Sequence, residues 1–132
     1  MSNPKVLAII FADKIIEEKN NKKGIIGTFD TVYAPAFPMA PFPWGVYISI
    51  TGVIGKASFS LILQKLNAEE PLLKLDGDLE GRDPEGMIEI PLNFENVQFH
   101  EPGDYKFSVM IDNVIVESRK LRVNIAPQPA IH

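Results

Sequence analysis

A chain of 132 residues, 45% of them hydrophobic and 23% charged, has the size and composition of one globular domain with a core of its own. The absence of cysteine excludes disulfides, thiolate metal sites and thiol chemistry. A formal charge of −4, from 13 basic and 17 acidic residues, argues against nonspecific nucleic-acid binding, which draws its affinity from Lys and Arg on phosphate.

In chain order, Val6 to about Glu18 reads as a strand whose first half is apolar in both phases. That pattern suits a strand covered on both sides, or one that changes partners midway. Asp13, Lys14, Glu17 and Glu18 follow this run where a signal peptide would be cleaved, so a cytoplasmic location is expected. The run is also far shorter than the ~20 apolar residues that span a bilayer. After the Asn20 to Gly24 turn, Ile25, Gly27, Phe29, Thr31 and Tyr33 alternate with Ile26, Thr28, Asp30 and Val32, which predicts a long hairpin. Residues 34 to 45 carry four prolines and must form a stiff loop, because proline cannot donate to a ladder.

Strand signals resume with Val46, Ile48 and Ile50, break at Gly52 to Gly55, and return with Phe59, Leu61 and Leu63. Leu73, Leu75 and Leu79 mark a weaker strand, and Arg82 to Gly86 is a turn. Ile88, Ile90 and Leu92 form another strand, which Pro91 assigns to a sheet edge, and Asn93 to Glu101 should link the two sheets. Tyr105, Phe107, Val109 and Ile111 alternate with Lys106, Ser108 and Asp112. Asp112-Asn113 then suits a type I′ hairpin turn, since both residues tolerate positive φ. The last strand changes phase between Val116 and Leu121, which predicts a bulge near Ser118 to Lys120. Pro102-Gly103-Asp104-Tyr105 reads either as the corner where a tyrosine hydroxyl bonds back to upstream backbone, or as a turn before an ordinary core tyrosine. A single domain is expected over residues 1–126, with 127–132 as a flexible tail. Seven to nine strands and no substantial helix make the class all-β, an antiparallel two-sheet sandwich.

No constellation declares a chemistry. His100 and His132 are the only histidines, and Glu101 beside His100 points to the opposite strand face, so no catalytic residue is assigned. From Glu69 to Glu89, eight carboxylates and two cations give a local charge of −6. The calcium-loop spacing is not met, and solvated edge charges explain the stretch better. No metal and no cofactor is expected. The strongest candidate surface is aromatic: Tyr33, Phe37, Phe42 and Trp44 lie on or beside the proline loop, where they either contact a partner or cap one end of the sandwich.

Ala12-Asp13, Ile26-Gly-Thr-Phe29, Phe37-Pro38, Gly52-x-x-Gly55, Pro102 to Val109 and Ser118-Arg119 together resemble a family of small bacterial proteins of unknown function with an immunoglobulin-like sandwich. The resemblance implies the fold and a bacterial source, and transfers no activity. Three functions stay open. The first is a non-enzymatic interaction or structural domain with a protein partner, including a second copy of the chain. An exported adhesin-like or carbohydrate-binding sandwich would stack Tyr47 and Trp44 on a sugar. A hydrolase would need paired carboxylates from the acidic stretch.

Overall fold

The computed structural model describes residues 3–127. Nine strands follow in order: β1 Lys5–Glu17, β2 Lys23–Phe29, β3 Thr31–Ala34, β4 Trp44–Thr51, β5 Gly55–Lys65, β6 Leu73–Gly81, β7 Met87–Phe94, β8 Gly103–Ile111 and β9 Val114–Ile125. They form a four-stranded sheet in the order β2-β1-β4-β7 and a five-stranded sheet in the order β3-β9-β8-β5-β6. All pairings are antiparallel except β3 with β9. This is the all-β two-sheet sandwich that the alternation implies, of the immunoglobulin-like kind that the family resemblance implies.

Alternation fixes which side chains meet between the sheets. Ile48, Ile50, Leu61, Leu63, Ile90, Tyr105, Phe107 and Val109 are all buried there. Phe59 is half-buried, its ring lying across Gly77, its register partner on β6. A Cβ at Gly77 would sit 2.5 Å from the ring tip, so glycine is what lets the aromatic cover that edge. Tyr105 packs edge-on against Phe99 and donates its hydroxyl to the Glu101 carbonyl at 2.7 Å. It is therefore the corner tyrosine rather than an ordinary core ring. Asp112 and Asn113 have φ of 51° and 67°, as the hairpin turn requires. Pro91 lies on β7, an edge strand, where its missing N–H leaves no ladder bond unmade.

Two features differ from the sequence expectation. Ile25 to Tyr33 is not one strand: it breaks at Asp30, β2 stays with β1, and β3 crosses to pair with β9 in the other sheet. The bulge of β9 lies opposite Val109 and Met110, at Ile115 to Glu117, a few residues earlier than expected, because Val116 turns into the core there. Of the 127–132 tail, residues 128–132 lie outside the described residues.

The double-phase apolar character of β1 has a structural cause. β1 pairs β4 from Lys5 to Ala12 and β2 from Phe11 to Glu17, so it changes partners midway. Ile9 and Phe11 enter the main core, whereas Ala12 and Ile15 join Tyr47, with Ala8, Ile10 and Ile25 around them, in a second small cluster. Tyr47 alternates with the inward-facing Val46 and Ile48, so this cluster lies on the outer face of the four-stranded sheet. Asn93 of β7 holds it in place. Its amide oxygen accepts from the Ile15 N–H at 3.0 Å and its amide nitrogen donates to the Ile15 carbonyl at 2.8 Å. The carboxamide thus replaces the strand that β1 loses beyond Ala12.

Candidate interaction surface

The proline loop does not present its aromatics as a set. Trp44 is the first residue of β4, shares the phase of Val46 and Ile48, and is 1% exposed. Phe11, Phe29, Phe42, Phe94 and Phe99 all lie within 6.4 Å of its ring, centroid to centroid. Of the two readings, partner contact or cap, Trp44 therefore takes the second: the indole is core. Phe37 and Phe42 are half-buried and pack onto that core. The loop is pinned by Met39, whose N–H reaches the Phe99 carbonyl at 3.2 Å and whose carbonyl accepts from Gln98 at 3.0 Å. Only Tyr33 remains open, at 58% exposure, on the edge strand β3.

Tyr47 is also removed from the surface. It is buried beneath the β1-β2 arm and donates its hydroxyl to the Glu89 carboxylate. Burial, reinforced by that carboxylate, pushes its phenol up to about 12. Burial likewise raises Tyr105. With Trp44 and Tyr47 both covered, the pair that would stack on a sugar does not reach solvent.

The side of the five-stranded sheet that faces away from the core is the broad polar face of the molecule, and strand register sorts its chemistry. At one end, Asp76, Asp78 and Glu80 of β6 stand beside Ser60, Ser58 and Lys56 of β5, with Asp112 next to Ser58. Asp112 accepts from the Ser58 N–H at 3.0 Å, and Asp76 from the Ser60 hydroxyl. Lys56, Asp78, Glu80 and Asp112 line an open depression there. All four are exposed, and among the described residues no group of three or more His, Cys, Asp or Glu is arranged to hold a metal.

The middle of the face is apolar across β5, β8 and β9, with Lys74 beside Ile62 and Asp76 beside Ser60 at its β6 margin. Ile62 pairs with Ser108, Ser108 with Ser118, and Met110 with Ile115. The two serine hydroxyls bond to each other at 2.9 Å. Ile62 and Met110 are half-buried, and Ile115 is 57% exposed. At the far end, Lys106 pairs with Lys120 and Asp104 with Arg122. Lys120 makes a 3.5 Å ion pair with Asp104. Tyr33 stands beside Asn124 at this end. The face therefore runs from acidic through apolar to basic along the strands.

Sequence reasoning found the acidic residues and Tyr33 but not this face. Its signal is the polar phase of β5, β6, β8 and β9, which acquires meaning only when the strand order is known.

One solved structure similar in shape is an immunoglobulin-like protein from Pseudomonas aeruginosa. It is 11% identical, with 92% of this chain and 97% of that chain covered, at a TM-score of 0.45. No curated protein matches. Residues 7–124 match a family of unknown function (DUF6941), a span running from β1 through nearly all of β9, and the chain belongs to that family.

Proposed function

We propose that this domain is a non-enzymatic protein-interaction module that binds through the outer face of its five-stranded sheet, with Tyr33 on the rim. The observation that carries the reading is the apolar strip of Ile62, Met110 and Ile115, bordered by charged side chains. Interfaces place an apolar centre inside a polar rim, and Tyr is enriched among their anchors. The carboxylates of the acidic end support a binding role rather than catalysis. They are solvated and engaged with serine hydroxyls and the Ser58 strand amide, not paired in an enclosed site.

The reading includes a cytoplasmic location and no nucleic-acid partner. The first is supported by the use of the apolar Val6 to Ala12 run as a core strand, with Phe11 fully buried. None of the described residues forms a helix long and apolar enough to cross a membrane. The net charge of −4 supports the second.

A photo-crosslinking residue placed at Met110, with Thr28 on β2 as control, tests the proposal in living cells. Adducts to protein from position 110 in excess of position 28 are expected. Equal or absent adducts would refute the binding face.

A further inference from the structure

We infer that the partner on this face is a second copy of the same chain, packed face to face with its strands running roughly antiparallel to those of the first. The inference rests on the reading of this face as a binding surface and adds the identity of what covers it.

Two identical faces meet about a two-fold axis that lies in the plane between them. If that axis runs across the strands, each end of one face meets the opposite end of the other. Here the ends have opposite sign. Asp78, Glu80 and Asp112 mark one, and Lys106, Lys120 and Arg122 the other. The same axis keeps the middle on the middle, so Ile62, Met110 and Ile115 of one copy meet their equivalents in the other.

An axis running along the strands would instead lay acid on acid, which electrostatics disfavours. The charge pattern therefore selects one orientation. Ser60, Ser108 and Ser118 keep the surface between the apolar side chains low, so two sheets can approach closely. The acidic edge strand β6 has a second role in this arrangement. Its charges suit it poorly to edge-to-edge extension but suit it to the Lys74 end of the same strand in a copy stacked on the face.

Charge reversal tests the inference with the full chain. In one variant Asp78→Lys and Glu80→Lys join Lys56 and turn the acidic end net basic, with Asp76 and Asp112 left in place. In the other, Lys106→Glu and Arg122→Glu join Asp104 and turn the basic end net acidic, with Lys120 left in place. All four side chains are exposed, and circular dichroism with thermal melting verifies that both variants fold. By sedimentation equilibrium at low salt, the wild-type chain is expected to be a dimer at micromolar concentration. Each variant alone should show a dimer dissociation constant raised at least about tenfold. An equimolar mixture should regain association as a heterodimer, since its faces again attract.

A monomeric wild-type chain overturns self-association. If Met110 still crosslinks to another protein, the binding face stands and only the identity of its partner falls. A wild-type dimer unaffected by either reversal, or variants that fail to associate when mixed, also overturn the proposed arrangement.

Discussion

Replacing Asn93 by Leu keeps the side chain's bulk and removes both of its bonds to Ile15, at 3.0 and 2.8 Å. The Ile15 N–H and carbonyl point to the side where β4 ends, since the β1-β4 pairing stops at Ala12 and Gly45. No other strand serves them. Two hydrogen bonds at about 0.5–1.5 kcal/mol net each give a loss of about 1–3 kcal/mol. The lower half of that range is the better expectation, because Asn93 is exposed and water can replace part of what is lost.

The same strap explains Gly45. A Cβ there would lie 2.7 Å from the Leu92 carbonyl oxygen and 2.9 Å from both Asn93 Oδ1 and Ile15 Cγ1. Gly45→Ala must therefore lift the strap off the sheet, and should cost at least as much as Asn93→Leu. Hydrogen exchange is the assay. Both variants should speed the exchange of the Ile15 amide by roughly tenfold or more, while central amides of β5 and β8 change only with global stability. Unchanged exchange at Ile15 in both variants would refute the strap.

Phe107 is fully buried and meets the Phe11 ring edge-on at 5.9 Å. Phe107→Ala should therefore cost ~3–5 kcal/mol in chemical denaturation, and an unchanged midpoint would contradict the core. High pH should destabilise the fold through its buried phenols. Tyr47 titrates at about 12 when folded and near 10 when unfolded, and Tyr105 is shifted in the same direction. The contribution of Tyr47 is complete below pH 10 and lost as pH rises through 12. For Tyr47 it is on the order of 2 kcal/mol, and Tyr47→Phe should flatten that loss. Melting in calcium and in chelator should coincide, and a shift of several degrees between them would point to a cation at the acidic end.

Local pattern carried the strands, the hairpin turn and the edge position of Pro91, because each is decided within a few residues, and left Tyr105 between two readings that only its bond to Glu101 separates. Trp44 was legible in principle: it shares the phase of Val46, Ile48 and Ile50, and that phase outweighs its proline neighbours. The crossing at Asp30 was not, since alternation runs unbroken through it and only the pairing of β3 with β9 separates the two strands. The strap of Asn93 onto Ile15 spans 78 residues and has no local signature. The bipolar face was hidden for the same reason. Its acids and bases lie on strands that are neighbours only after folding, so the sequence showed an acidic stretch and no basic counterpart.

The central claim is that this face meets its own copy with acidic end on basic end, and the absence of native cysteine permits a clean test. One preparation carries Asp112→Cys and a second carries Lys106→Cys, at opposite ends of β8, which the two-fold axis sets on its own equivalent, and the two are mixed under mild oxidation. Disulfide dimers between the two variants should form faster than Asp112→Cys dimers with themselves. Self-crosslinking at position 112 that equals or exceeds mixed crosslinking would contradict the arrangement.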